Sequence, residues 1–283
     1  MVDGKAPVGV LNIYATPTDL KRRLGITDTT RDSTLWHLLH VASRIVDGHC
    51  GRNFYVTSGS KRFDVQDRHG VQVDDLIEIA QVVEDWDGDG VYERIRERKD
   101  YILYPLDSDP HSLRGVPFHA LRTPRRRGGR CFPTGRASVQ ITGRWGYRSH
   151  FVSLDGYISN SGAQVTKASK SFKVDDDANV RAGQTILVGN EQMFVKQVGA
   201  SVLNVERGMN GTSAVAHDDG SLLKALSYPA EVVEATLLVA VDRWRRRDGI
   251  ARSNDVAEGA RDELYDPSGD VSRLLAPYRR LRI

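Results

Sequence analysis

Apolar residues recur at three- and four-residue steps near the start of the chain. In RDSTLWHLLHVASRIVDGHCGRNF the repeating positions are Leu35, Leu38, Leu39, Ala42, Ile45 and Val46. This spacing puts them on one face and predicts a helix, for which Gly51 is a suitable C-terminal stop. A shorter helix is predicted just before it in TPTDLKRRLG. There Thr16 and Asp19 can form a capping box, Pro17 suits the first helical position and Gly25 can end the helix.

The last part of the chain carries a second helical pattern. In SYPAEVVEATLLVAVDRWRRRDG, Pro229 can open a helix, Glu231 and Glu234 suit its positive end, and Gly249 can close it. The central run ATLLVAV is apolar on nearly all sides, so this helix should be buried. A short helix is also predicted in GDVSRLLA, before Pro277.

Between the helical ends the pattern changes to short runs rich in β-branched and aromatic residues. Residues 55–150 contain KRFDV, LIEIAQVV, VYERI, DYILYP and ASVQITG, which predict an antiparallel β region. Residues 156–171 are small and polar, which indicates a linker or an exposed excursion. A second β cluster follows in FKV, QTILVG, EQMFVKQV and SVLNVER, with turn signals at Gly189-Asn190 and Gly199-Ala200.

These patterns predict an α+β fold. A helical core would be formed by residues 1–54 and 226–283, with an antiparallel β region at 55–150 and an inserted module at 151–225. The module has a polar boundary and closely spaced turns of its own, so we expect it to fold autonomously.

Composition and charge narrow the function classes. The 283 residues are 40% hydrophobic and include 40 basic and 37 acidic residues, giving a net charge of +3. This balance is typical of a globular surface and not of a dedicated DNA-binding protein. Arginines cluster locally, and solvated loop or helix-end charge is favoured over nucleic-acid contact for Arg125, Arg126, Arg127 and Arg130 and for Arg243, Arg245, Arg246 and Arg247.

Cellular location follows from what the chain lacks. No apolar run approaches the roughly 20 residues of a membrane span, and the N-terminus has no signal-peptide pattern. The two cysteines, Cys50 and Cys131, are too few for a disulfide framework and are not spaced as metal ligands. We therefore expect synthesis in a reducing cytoplasm and no membrane partner.

No recognisable catalytic motif is present, so we expect a protein that is not an enzyme and needs no cofactor. His37 and His40 lie three residues apart on a predicted helix, but no third metal ligand is suggested nearby. Asp74 and Asp75 are adjacent in a predicted strand and should point to opposite faces. Neither pair predicts a site.

The stretch DWDGDG resembles the start of a calcium loop. Asp85, Asp87 and Asp89 would fill the first, third and fifth positions and Gly90 the sixth, but the twelfth position holds Arg96 where a bidentate glutamate is needed. The flanking runs are strand-like, and Asp-Gly dipeptides are typical of hairpin turns. We therefore predict a hairpin turn and no metal site.

Taken together, several segments resemble the head-to-tail connector (adaptor) proteins of tailed bacteriophages. YATPTDLKRRLGI and LLHVASRIVDGHCGRNF are similar to the family's opening helices, with Arg52 before Phe54. VDDLIEIAQVVEDWDGDGVYE, DYILYP and ASVQITGRWGY resemble its β region, and YPAEVVEATLLVAVDRWRRRDG and LLAPYRRLRI its late helix and tail. Residues from about 155 to 225 depart from the family pattern and instead resemble a small β-barrel module of phage structural proteins.

The resemblance implies a virion structural protein of the bacteriophage neck, assembled in the host cytoplasm. It would form a homo-oligomeric ring, a dodecamer, below the portal protein and would carry the stopper or the tail-completion or tail-tube protein. DNA would pass through the lumen without sequence specificity. The tail mixes aromatic, aliphatic and cationic side chains typical of binding anchors. We expect the portal-docking residues to be Leu274, Leu275, Tyr278, Arg279, Arg280, Leu281, Arg282 and Ile283.

Four other interpretations stay open, three of the function and one of the C-terminal tail. The chain could be a tail or baseplate component, since the β module is not exclusive to necks. It could bind or cleave glycans, although cleavage needs two carboxyl groups about 5–10 Å apart and nothing in the sequence pairs them. The arginine clusters could bind nucleic acid, which would show as a steep salt dependence. The tail could also fold back onto its own helices.

Overall fold

A computed structural model of the chain describes residues 4–124, 130–175, 179–252 and 267–280. These residues form four α-helices and two antiparallel six-stranded sheets, an α+β architecture as predicted. They divide into two compact units. The first comprises Met1–Arg52, Phe151–Met209 and Ser213–Ile283, and the second comprises Asn53–His150 and Asn210–Thr212.

The helices of the first unit begin and end close to the predicted residues. Helix α1 spans Pro17–Leu24 and α2 spans Asp32–Cys50, while α3 spans Ala230–Arg252 and α4 spans Pro267–Leu275. The capping box of Thr16 and Asp19 is present, and Gly25 and Gly51 end their helices in the left-handed conformation. The predicted end of α3 at Gly249 is wrong, since the helix continues to Arg252.

The second sheet, also in the first unit, consists of six strands. They are β7 (Phe151–Tyr157), β8 (Ser171–Lys173), β9 (Thr185–Val188), β10 (Glu191–Gly199), β11 (Val202–Glu206) and β12 (Leu222–Leu226), in the order β7-β12-β9-β10-β11-β8. Tight turns follow Val188 and Gly199, at or one residue beyond the predicted dipeptides. The predicted closed barrel is not confirmed. The strand ladder stays open, and among the described residues the isolated bridge of Ile158 with Val174 joins its two edges.

Strand β10 explains how this sheet packs. Met193 and Val195 point into the sheet's own apolar cluster, with Ile186, Leu203 and Leu223. Phe194, between them, points to the opposite face, because strand side chains alternate. There its ring lies 6.2 Å from that of Trp36 on α2. Both faces of the strand are therefore buried, as its nearly continuous apolar run requires.

The helices share their apolar cluster with this sheet. Leu20, Leu35, Leu39, Leu237 and Val241 from α1, α2 and α3 belong to one cluster with Phe194, Ala182 and Met209. Each fully buried Leu or Phe contributes about 1.5–3 kcal/mol of transfer free energy. The helices are thus not a core by themselves. Whether residues 151–225 fold autonomously stays a prediction.

The second unit is built on the other sheet. Its strands are β1 (Thr57–Val65), β2 (Gly70–Glu84), β3 (Arg94–Ile95), β4 (Ile102–Tyr104), β5 (Phe118–Arg122) and β6 (Gly135–Trp145), ordered β1-β6-β2-β5-β4 with β3 beside the end of β2. One face covers a cluster that includes Leu76, Val82, Leu121, Ile141 and Phe132. The antiparallel β region predicted for residues 55–150 is therefore present. Of VYERI, however, only Arg94 and Ile95 form a strand.

Candidate functional site

The C-terminal segment lies against the helices of its own unit as far as residue 280. Leu275 is fully buried and Leu274 half-buried on α4. After α4 the chain makes one short turn, Ala276–Tyr278. The Tyr278 hydroxyl donates to Glu231 Oε2 at the start of α3, at 2.7 Å, and the Arg280 amide donates to the Cys50 carbonyl at the end of α2, at 2.8 Å.

The end of α2 accepts the tail because Gly51 turns the backbone sharply there. Its φ is +65°, a conformation that favours glycine. The Arg280 Cβ lies 3.9 Å from the point where a side chain on Gly51 would start. Of the predicted docking residues, Arg279 is exposed, whereas Leu275 serves the chain's own packing. Leu281, Arg282 and Ile283 lie outside the described residues, and the docking role stays a prediction.

Charged groups surround the buried Cys50 thiol at this helix end. Burial raises the pKa of Cys50 to about 11; Arg52 and Arg279 act against that rise, and Asp47 adds to it. The thiolate is therefore suppressed at neutral pH, which excludes Cys50 as a nucleophile. Arg52 and Arg279 both act on this thiol, so two arginines from distant parts of the sequence lie near the end of α2.

Asp47 is the acidic group of this region, and it is already engaged. Its Oδ2 lies 2.9 Å from Arg44 Nε, and its Oδ1 accepts a hydrogen bond from the Tyr14 hydroxyl. Burial raises the pKa of Asp47 to about 6, although the Tyr14 hydrogen bond and Arg44 act in the opposite direction. Asp47 therefore contributes to holding the segment before α1 on α2.

The DWDGDG stretch joins β2 to β3, which pair in antiparallel register through Val83 with Ile95 and Glu84 with Arg94. The predicted hairpin is confirmed, but residues 85–93 join its strands as a loop and not as a tight turn. Asp85 Oδ1 accepts the Gly88 amide at 2.7 Å, and Asp85 Oδ2 accepts the Gly90 amide at 2.9 Å. The buried Asp85 thus organises the loop from inside.

The same hairpin gathers carboxylates. Single oxygens of Asp85, Asp87, Asp89 and Glu93 all lie within 4.8 Å of one another, a grouping that could hold a cation. The side chain that would have to complete a calcium loop is that of Arg96, and it is fully buried against Glu84. The prediction of no metal site stays untested.

Glu84 is the centre of a buried ion-pair network in the second unit. It is fully buried and pairs with Arg96 and with Arg130, and it accepts the indole N–H of Trp86 at 2.8 Å. Arg96 also donates to the carbonyls of Asp100, Arg130 and Cys131, and its guanidinium stacks 3.8 Å from the Phe132 ring centroid. The network ties the hairpin to the chain around residue 130.

Glu191 is the corresponding centre in the first unit. Its carboxylate accepts both Nε and Nη2 of Arg207, at 2.7 and 2.8 Å, and lies 2.8 Å from His217 Nε2. It also accepts the amides of Gly208 and Val215. Burial alone would raise the pKa of Glu191, but these hydrogen bonds, led by that of Arg207, lower it to about 2. Arg207 further donates to the carbonyls of Thr166, Ser169 and Val215.

The remaining sequence candidates do not converge on a site. His37 is exposed and His40 half-buried on α2, and burial lowers the pKa of His40. Asp74 pairs with Lys61 at 2.9 Å, whereas the adjacent Asp75 is buried. Arg243, Arg245 and Arg246 are exposed on α3. Arg125, Arg126 and Arg127 lie outside the described residues, and the side chain of Arg247 is likewise not described.

The two buried glutamates are what sequence reasoning missed. Each closes or opens an apolar strand run, as the last residue of LIEIAQVVE and the first of EQMFVKQV. A carboxylate at such a place is a signal of a paired, buried charge, because a charged group leaves water only with a partner. Nothing in the sequence identifies which cation is that partner.

No helix among the described residues has both the length and the apolarity to cross a membrane. No family model matches the chain, and a search of curated proteins finds no match. Among solved structures, the chain is similar to one from the neck of an empty GTA (gene transfer agent) particle computed with C6 symmetry. The identity is 10%, the TM-score 0.44, and the alignment covers 100% of this chain and 97% of that chain. A likeness this distant carries no argument about function.

Proposed function

We propose that the chain is a structural head-to-tail adaptor of a tailed phage. It forms a homo-oligomeric ring, a dodecamer, below the portal, joins capsid to tail at the virion neck and lets DNA pass through its lumen. It catalyses no reaction. Its partners are further copies of itself, the portal protein and a stopper or tail-completion or tail-tube protein.

The proposal is carried by one observation. The helical segments that resemble connector proteins come from opposite ends of the sequence, yet they lie together in one unit. Leu35 and Leu39 of α2 share an apolar cluster with Leu237 and Val241 of α3. The tail is fixed to both helices, through the Arg280 amide on the Cys50 carbonyl and the Tyr278 hydroxyl on Glu231.

The chemistry of the described residues supports a structural role. Glu191 and Arg96, whose pKa values are both lowered, are engaged in buried pairs, and each pair holds loops in place. The overall charge is close to balanced. That suits a conduit, because tight phosphate binding would impede DNA movement.

The direct test is the mass of the purified protein alone and after mixing with its portal. Light scattering of the protein alone should give a mass of about twelve times the 31.5 kDa of one chain. If the ring forms only on the portal, the mixture should gain that mass over the portal alone. A variant ending at Ala276 should lose co-elution with portal. A protein that stays monomeric under both conditions would contradict the adaptor role.

A further inference from the structure

We propose that the loop between β2 and β3 of one copy of this chain docks on a cationic cavity beside α1 of the next copy. The loop, residues 85–93, is called the acidic loop below, and the cavity lined by Arg22 and Arg181 is called the α1 cavity. The inference deepens the proposed homo-oligomeric ring and rests on it. It adds which surface of one copy meets which surface of its neighbour.

The α1 cavity lies at the C-terminal end of α1 and has a volume of about 520 Å³. Residues of the helix and of the turn after it line most of the cavity, and Arg181 comes from the chain just before β9. Arg22 Nη1 and Arg181 Nη1 lie 3.6 and 3.5 Å from the same atom, Asp19 Oδ1. The two guanidinium groups therefore share one surface, with a single carboxylate oxygen between them.

The α1 cavity carries positive charge because its two arginines share one acid. Among the described residues no acidic residue lines the cavity, and its third cation, Lys21, is fully buried and paired with Asp32. Asp19 is also part of a capping box, and its distances to the arginines exceed the roughly 2.7–2.9 Å of a charge-assisted hydrogen bond. The side chains of Arg22 and Arg181 are 69% and 51% accessible, so both can bind a partner.

The acidic loop carries the opposite charge. Single oxygens of Asp85, Asp87, Asp89 and Glu93 lie within 4.8 Å of one another, and none of the four forms an ion pair with a described residue. Carboxylates this close repel one another until a cation joins them. Val91, in the same loop, is 60% exposed and adds an apolar contact.

Arginine side chains suit this loop better than a metal ion. Both carboxylate oxygens of Asp85 already accept backbone amides, those of Gly88 and Gly90. The residue that would have to close a calcium loop is Arg96. Guanidinium groups bind exposed carboxylates from outside the loop and in bidentate geometry, so they need no complete shell of ligands.

A second copy is the partner that the charges favour, because one chain carries both halves of the contact. Among the described residues the acidic loop forms no ion pair with the two cavity arginines of its own chain. Val91 of the loop and the half-buried Ile26 of the cavity would supply an apolar contact beside the charges. Contact between two different surfaces of identical copies is heterologous, which is the kind that closes into a ring.

The test mixes two full-length variants. Asp87→Lys with Asp89→Lys reverses the charge of the acidic loop, and Arg22→Glu with Arg181→Glu reverses that of the α1 cavity. Each variant alone should assemble at a concentration about tenfold higher or more, because like charges meet at every contact. An equimolar mixture should return to within about threefold of the wild-type protein, since contacts between unlike variants join opposite charges. Light scattering measures the mass, on the portal if the ring forms only there.

Neutral variants cover the case in which charge reversal disturbs folding. Asp87→Asn with Asp89→Asn, and Arg22→Gln with Arg181→Gln, should each weaken assembly less than reversal does. Combining the two sets in one chain should cost no more than either alone, because the contact is already lost. Thermal melts of every variant should match that of the wild-type protein.

Arg246→Glu and Glu97→Lys are the matched controls. Their side chains are 71% and 62% accessible, one in each unit, and their reversal should change assembly by less than about twofold. A mixture that assembles no better than either folded reversal variant alone would overturn the proposal. So would assembly that requires calcium and ignores Arg22 and Arg181.

The outcomes separate this inference from the adaptor role. Rings that form on portal and are unchanged by both reversals would contradict the inference alone. Assembly that the mixture restores, in a protein that does not bind portal, would contradict the adaptor role alone. A wild-type protein that stays monomeric with and without portal would contradict both.

Discussion

Among the described residues, each unit contains one glutamate that is almost completely inaccessible and is paired with at least one arginine. Glu84 in the second unit is paired with two arginines, Arg96 and Arg130. Glu191 in the first unit is paired with one arginine, Arg207, and with His217. In both networks the buried arginine also donates to three loop carbonyls, so that one ion pair fixes several loops.

The two networks differ in which hydrogen-bond donors the glutamate accepts. Glu84 receives its hydrogen bonds from side chains, namely those of Arg96, Arg130 and Trp86. Glu191 additionally accepts two backbone amides, of Gly208 and Val215. A buried amide without an acceptor costs free energy wherever it lies. Glu191 therefore satisfies backbone amides of the neighbouring loop, whereas Glu84 binds side chains that have other contacts as well.

The largest effect should come from removing the two carboxylates in turn. Glu191→Ala should lower the free energy of unfolding of the first unit by about 3–5 kcal/mol, because Arg207 loses its charge partner. Glu84→Ala also leaves the fully buried Arg96 without its carboxylate, but among the described residues no backbone amide loses its acceptor there. Glu191→Ala strands the amides of Gly208 and Val215, so Glu84→Ala should cost its unit less. Hydrogen exchange read by mass spectrometry would report each unit separately.

The control for this pair is Glu78→Ala. The Glu78 side chain is 56% exposed and lies 3.6 Å from Arg144, so its loss should cost about 0.5 kcal/mol or less. A larger loss in Glu84→Ala than in Glu191→Ala would contradict the distinction between the two networks.

Acid should act on the first unit through Glu191. The pKa of Glu191 is about 2 in the folded protein, below its ordinary 4.5. Its contribution to stability is therefore complete above pH 4.5 and is lost as the pH falls towards 2. The loss should be smaller than in Glu191→Ala, because a protonated carboxyl still accepts hydrogen bonds. Thermal melts between pH 5 and about 2.5 should show a slope that Glu191→Gln reduces. An unchanged slope in that variant would count against the assignment.

A smaller effect is expected at His217, whose Nε2 lies 2.8 Å from Glu191 Oε2. His217→Gln keeps a donor near Glu191 Oε2 and should cost about 1 kcal/mol, the range of one hydrogen bond. His217→Ala should cost more, since its ring is buried. Urea denaturation of the two variants would check the order. His37→Gln, on the exposed face of α2, is the matched control and should be nearly neutral.

No effect is expected when calcium is added. The hairpin that follows Glu84 gathers four carboxylates, but Arg96 occupies the place of the closing glutamate and is held by Glu84. Calorimetry should therefore show no stoichiometric heat. Micromolar binding that disappears in Asp87→Ala would overturn this prediction and would make the Glu84 network the support of a metal loop.

Part of the candidate site could be predicted and part could not. The mixed composition of the tail singled out Tyr278, Arg279 and Arg280, and Pro277 indicated that the helix stops before them. The contact with Cys50 could not be anticipated, because a hydrogen bond between the two ends of a chain has no local signal. Arg52 is singled out only through the family resemblance, and the structure shows that it follows, by two residues, the Cys50 whose carbonyl accepts the Arg280 amide.

The sequence alone determined the local features of this protein. Thr16 with Asp19, Gly25 and Gly51 mark helix ends because capping and left-handed turns depend on a few neighbouring residues. The tight turn at Gly189-Asn190 is of the same kind. Tertiary structure alone decided which charges are buried and with which partners. It also decided that Phe194 packs on the helices and that the second sheet stays open. These features depend on side chains that come into contact only after distant segments have folded together. The spacing of residues along the chain therefore does not predict them.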